Sequence, residues 1–162
     1  MEHLAACRGS KPQSGLPMID VVSSYKKENA LADQDRYERG AEMLNKVYAG
    51  EVQAPPKGTM AFADLMVEGL FGEMWTRDVL SIRDRRLILL GVIGALGEKD
   101  TFAIQAKATL KNEELTPEQL REVVIVLANY AGYPRAAGVL GIVEQQIAAM
   151  DMEATEKPSS ET

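Results

Sequence analysis

Thiol and imidazole are nearly missing from this chain of 162 residues, which contains one cysteine, Cys7, and one histidine, His3. Both fall in the first ten residues, where chain ends are commonly mobile and poorly placed for chemistry. A disulfide framework, a His/Cys zinc cluster, a CxxC redox pair and a Ser-His or Cys-His triad are therefore excluded within one chain. A long apolar run is also missing. The longest, Leu87 to Leu96, is about half of the ~20 residues a membrane span needs, and reads as a buried helix. No charged start followed by an apolar stretch marks a secretory signal, so a cytoplasmic protein with no membrane partner is expected. Excess positive charge is lacking too. A net charge of -6 argues against nucleic acid as a partner, since phosphate binding depends on lysine and arginine.

What remains is an ordinary soluble composition, 46% apolar and 26% charged, sufficient for one domain with its own core. Residues 1–32 mix Gly, Ser, Pro and Lys without a sustained period and read as an extended arm, with one short strand or turn at Ile19 to Ser23. The domain itself is placed at 33–150. Residues 151–162 hold four acids against Lys157 and read as an acidic, disordered tail.

Within the domain, Asp33 is an N-cap for a helix whose face is Tyr37, Ala41, Leu44 and Tyr48; Gly50 and Pro55-Pro56 end it. A shorter helix is expected over Ala61 to Leu70, and Gly72 to Asp78 (GEMWTRD) then interrupts the periodicity. Ser81 with Asp84 forms a capping box for a helix reaching Gly97, apolar on every side in its second half. Another helix is read from Lys99 to Lys111. Thr116, Pro117 and Gln119 then supply N-cap, N1 and N3 for a helix that is again apolar nearly all round. Tyr133-Pro134 starts the last, with Ala137, Gly141 and Ala148 as a small-residue stripe for close helix approach. Six helices and no convincing strand give an all-α fold, its last four helices falling into two pairs.

The chemistry concentrates in a few places. Arg77, Arg83, Arg85 and Arg86 lie within ten residues, offset by Asp78 and Asp84. Guanidinium grips carboxylate with two parallel hydrogen bonds, so the cluster is either a pocket for a carboxylated small molecule or a set of surface and intersubunit ion pairs. Glu73 stands beside Trp75. A carboxyl desolvated by indole can donate a proton near neutral pH; the alternative is an ion pair to Arg77 with Trp75 plugging the core. Tyr130 and Tyr133 flank a helix-to-helix corner and either hydrogen-bond a substrate oxygen or pack their rings. Gln105 faces either a cavity or solvent.

Taken in order, Gly72-Glu73-x-Trp75-x-Arg77, Leu80-x-x-Arg83-x-Arg85, the Ala108-Thr109 of QAKAT, Leu115-Thr116-Pro117-Glu118-Gln119-Leu120-Arg121-Glu122 and Tyr130-Ala131-Gly132-Tyr133-Pro134 resemble the carboxymuconolactone decarboxylase family, which shares its fold with the alkylhydroperoxidase AhpD. The resemblance covers roughly residues 36 to 150. It implies an AhpD-like helical bundle that assembles as a homo-oligomer, a trimer or hexamer. It also implies a decarboxylase or related lyase acting without metal or organic cofactor on a small carboxylated lactone or aromatic-derived metabolite. Where the family's decarboxylases typically carry histidine, this chain has Gln105 and Gly138. The peroxidase run CxxCxxxH falls on Glu98, Thr101 and Gln105, which leaves no thiolate to attack a peroxide.

On this resemblance Glu73 is the expected acid, Gln105 an orienting donor and Tyr133 a further catalytic candidate. Arg77, Arg83 and Arg85 are the expected carboxylate binders, with Trp75 and Tyr130 completing the substrate site. The rival expectation is a non-catalytic oligomeric ligand-binding or scaffold protein of the same fold. A peroxidase is left only the route of Cys7 reaching a neighbouring subunit.

Overall fold

The computed structural model describes residues 34–156. The expected arm, the Asp33 cap, Cys7 and His3 lie outside the described residues, as do residues 157–162. Every element among the described residues is helical, in the AhpD-like arrangement of six helices: α1 (34–47), α2 (Ala61–Leu65, continuing as a π-helix over Met66–Met74), α3 (Ile82–Leu96), α4 (Lys99–Lys111), α5 (Pro117–Ala131) and α6 (Tyr133–Glu156).

α1 buries Tyr37, Leu44 and Val47 on one face. It stops where Ala49 and Gly50 take positive φ, and the Tyr37 hydroxyl donates to the Pro55 carbonyl, fastening the following loop against it. The second helix departs from its expected end at Leu70. It runs on to Met74 with i→i+5 bonding, as in Trp75 N to Leu70 O at 3.0 Å, until the Thr76 hydroxyl takes the Gly72 and Glu73 carbonyls, each at 2.9 Å. Gly72 to Asp78 looked like an interruption because a π-helix does not repeat every 3.6 residues. Two glycines place this stretch against α1. A Cβ at Gly40 would stand 2.1 Å from the Val67 carbonyl oxygen, and one at Gly72 would stand 2.9 Å from that of Arg36, so the two backbones cross in direct contact.

Both expected capping boxes are present: Asp84 N to Ser81 Oγ at 3.0 Å with Ser81 N to Asp84 Oδ2 at 3.3 Å, and Gln119 N to Thr116 Oγ1 at 3.2 Å with Thr116 N to Gln119 Oε1 at 3.0 Å. α3 ends on Gly97 in the left-handed region. α3 packs on α4, and α6 on both α4 and α5. The small-residue stripe of α6 is displaced from expectation. Ala137, Gly141 and Ala148 are exposed, and the packed stripe is Ala136, Val139, Val143 and Ile147, on the neighbouring strip of the helix surface. α6 also continues through residues 151–156, the first half of the stretch read as a tail.

Two apolar clusters result. Leu90, Ile93, Phe102, Leu110, Leu120 and Val143 belong to the larger, built from α3 to α6. Tyr37, Leu44, Val47, Val67, Phe71 and Trp75 form the smaller, and Leu89 packs against both. Each fully buried Leu, Val or Phe contributes about 1.5–3 kcal/mol. The helices read as apolar all round keep an exposed apolar side within one chain. Ile88, Val92 and Leu96 form an exposed row on α3, and Ile125 and Val126 are exposed on α5.

Candidate active site

A cavity of about 600 Å³ lies where the π-helical stretch, the loop after it, α3 and α4 meet. Because residues four and five apart share a face under i→i+5 bonding, the π-helical turn presents Leu70, Phe71, Met74 and Trp75 together to the cavity. Leu80, Ile88, Leu89 and Val92 add further apolar wall. The polar lining is short: Tyr48, Arg77, Arg85, Thr101 and Gln105, with no carboxylate, imidazole or thiol among them. Among the described residues, no group of three or more His, Cys, Asp or Glu could hold a metal ion.

Arg85 is buried and donates to the Leu80 carbonyl, which fixes the guanidinium along the loop, whereas Arg77 is exposed at the lining's edge. Behind the cavity stands Arg86, 0% exposed. Its Nε donates to Glu114 Oε2 at 2.8 Å and its Nη2 to Glu114 Oε1 at 3.1 Å. It donates further to the Val47 carbonyl and to Gln105 Oε1. Its guanidinium carbon lies 5.6 Å from the ring centroid of Trp75, which stacks on Phe71. Gln105, 2% exposed, donates from Nε2 to the Tyr48 hydroxyl at 3.0 Å. Its backbone carbonyl accepts from Thr109 Oγ1 at 2.7 Å.

Of the residues singled out in the sequence, the structure brings Trp75, Arg77, Arg85 and Gln105 to this one cavity. It does not bring the others. Glu73 is exposed and pairs with Arg36 at 3.2 Å, because residues two apart on a helix do not share a face with Trp75. Arg83 separates from Arg85 for the same reason, donating to the Glu114 carbonyl at 2.9 Å and lining a second groove of about 410 Å³ with Gln119 and Glu122. Tyr130 and Tyr133 are 90% and 71% exposed at the α5–α6 corner, away from the lining. Glu98 is exposed as well.

Two participants, Tyr48 and Glu114, were not singled out for a role, and Arg86 was read only as one member of the arginine cluster. Arg86 stands four residues before Leu90 and seven before Ile93, the spacing of the buried face of α3, and that was its available signal. Tyr48 read as one more apolar-face residue. Glu114 sits in a loop and gave no local sign. Around the neighbouring Arg36, a hydrogen bond from Lys57 and another from Arg36 itself hold the Glu68 carboxyl below its ordinary range.

The carboxymuconolactone decarboxylase family model matches residues 61–145, from the first residue of α2 into α6. The matched span contains every residue of the cavity lining except Tyr48. Over 120 residues the chain is 25% identical to a 4-carboxymuconolactone decarboxylase of Acinetobacter baylyi (strain ATCC 33305 / BD413 / ADP1), covering 71% of this chain and 89% of that protein. The all-helical bundle, the cavity walled by the matched residues and the likeness along most of both chains agree: this chain belongs to the carboxymuconolactone decarboxylase family.

Proposed function

We propose that the protein is a carboxy-lyase that removes CO2, without a cofactor, from a small carboxylated cyclic metabolite, an unsaturated lactone or a related aromatic-derived acid. The observation that supports it is the cavity's composition: two guanidinium groups, one amide-phenol pair and the Thr101 hydroxyl in walls that are otherwise apolar. Its volume, about 600 Å³, suits a metabolite of that size. Arg77 and Arg85 would grip a retained carboxylate, because a planar guanidinium matches carboxylate geometry. The carboxylate to be lost would face the apolar wall of Phe71 and Leu89, where charge is poorly solvated and its conversion to neutral CO2 is favoured. Electrons released into the unsaturated ring need donors fixed in advance, and the free N–H of Gln105 and the Tyr48 hydroxyl are the ones at hand. Thr101 and Gln105 occupy lining positions where the peroxidase pattern has a thiol and an imidazole, and neither is a nucleophile toward peroxide. The exposed row on α3 and the exposed Ile125 and Val126 of α5 support association with further copies of the chain, which light scattering of the purified protein would show as three or six chains per particle.

The test is CO2 release from 4-carboxymuconolactone, the compound in the relative's name, with other carboxylated unsaturated lactones beside it. Turnover on at least one is expected. Tight binding of these compounds with no CO2 from any would overturn the lyase reading in favour of a ligand-binding protein.

A further inference from the structure

We infer that Tyr48 is the acid that protonates carbon in this cavity, and that Glu114, Arg86 and Gln105 hold its hydroxyl in the donating orientation. The substrate rests on the lyase reading, whereas the accepting role of the hydroxyl toward Gln105 follows from hydrogen bonding alone.

A guanidinium can only donate. Arg86 donates to Gln105 through Nη1, so the side chain of Gln105 must turn its carbonyl oxygen to Arg86 and its NH2 to the other side. That NH2 meets the Tyr48 hydroxyl at 3.0 Å. An amide N–H also only donates, so the phenol oxygen is the acceptor and its own proton is left to point elsewhere. Tyr48 lines the cavity. Glu114 completes the chain at its far end, accepting two hydrogen bonds from Arg86 and one from Asn112 Nδ2 at 3.1 Å. The same groups hold the backbone beside the tyrosine. Arg86 and Asn112 both donate to the Val47 carbonyl, and the Tyr48 ring packs tilted against Phe71 with centroids 5.9 Å apart.

By elimination the described residues of the lining offer no other acid. Arg77 and Arg85 keep their protons, the Thr101 hydroxyl is a weaker acid than a phenol, and Gln105 does not titrate. Arg86 cannot pass a proton along either, so the chain orients the tyrosine and does not feed it. In the reaction the C–COO⁻ bond breaks, its electron pair enters the unsaturated ring, CO2 leaves, and the Tyr48 O–H proton is transferred to the ring carbon; the tyrosinate regains a proton from water. The net reaction consumes one proton from solvent for each CO2 released.

The experiment compares wild type with Tyr48→Phe, which keeps the ring packing, and with Gln105→Glu, which keeps a partner for Arg86 but accepts the Tyr48 proton and so turns it from the cavity. On 4-carboxymuconolactone, Tyr48→Phe is expected to lower kcat by about 100-fold or more with KM changed less than about 3-fold, and Gln105→Glu to lower kcat by at least about 10-fold. If wild type releases CO2 and Tyr48→Phe keeps kcat within about 3-fold of it, Tyr48 is not the acid. If wild type releases no CO2, the lyase reading fails separately, and exchange of deuterium from D2O into the decarboxylated lactone decides the acid. Exchange that is present in wild type and lost in Tyr48→Phe upholds Tyr48; exchange that is absent, or equal in both, overturns it.

Discussion

Arg86 carries a full charge with no access to solvent, and its compensation comes chiefly from Glu114, whose side chain is only 8% exposed. Burying such a pair adds little net stability, but breaking it is costly, because the remaining charge is stranded. Glu114→Ala is therefore expected to lose about 3–5 kcal/mol in urea unfolding, and Glu114→Gln markedly less, since an amide oxygen still accepts from Arg86. A loss below about 1 kcal/mol for Glu114→Ala would show that water replaces the carboxylate. The arginine cluster was visible in the sequence, but the separate fate of each member was not. Arg83, Arg85 and Arg86 sit on one helix and point to a groove, a cavity and the interior, because each residue turns the helix by about 100°. Gln105 could be named but not placed, since its partners Tyr48 and Arg86 come from 57 and 19 residues away.

The helix boundaries that could be read were those set by neighbours in sequence. Ser81 with Asp84, and Thr116 with Gln119, close their caps within one turn, and both ends fall where expected. The π-helical stretch could not be read this way. Its course depends on α1, which it meets backbone to backbone at Gly40 and Gly72. Gly40→Ala places a methyl where the Val67 carbonyl oxygen already is, and neither backbone can yield by rotating a side chain. About 1–3 kcal/mol of destabilisation is expected in denaturant titration, with the smaller apolar cluster opening at lower denaturant than the larger. An unchanged midpoint would mean that the two segments separate without cost. Likewise the apolar character of α3 and α5 was legible, whereas the sides left exposed in a single chain were not.

Across the whole molecule, carboxylates held by cations tie distant elements together. Glu51, in the loop after α1, meets Lys107 and Lys111 of α4 at 2.8 Å and 2.5 Å, and Lys111 reaches Glu153 of α6 at 3.2 Å. The hydrogen bonds from Lys107 and Lys111 depress the Glu51 pKa to about 2. Glu68 is lowered by Lys57 and Arg36, and Glu144 by Arg121. A depressed carboxylate stabilises the folded state above its unfolded pKa, near 4.5, and that stability is lost as pH falls toward the folded value. The melting temperature is thus expected to fall between about pH 4.5 and pH 2. Glu51→Gln should flatten part of that fall and cost about 1 kcal/mol at neutral pH, a value reduced by solvent screening at a side chain 33% exposed. A pH profile identical to wild type would remove Glu51 from the account. The cavity belongs to this larger picture as well, because it opens along the seam of the two apolar clusters, with Phe71 and Trp75 from one and the shared Leu89 in its wall. A molecule seated there acts as a rivet between the clusters: each increment of its binding free energy is added to the work of pulling them apart, so occupancy and foldedness rise together.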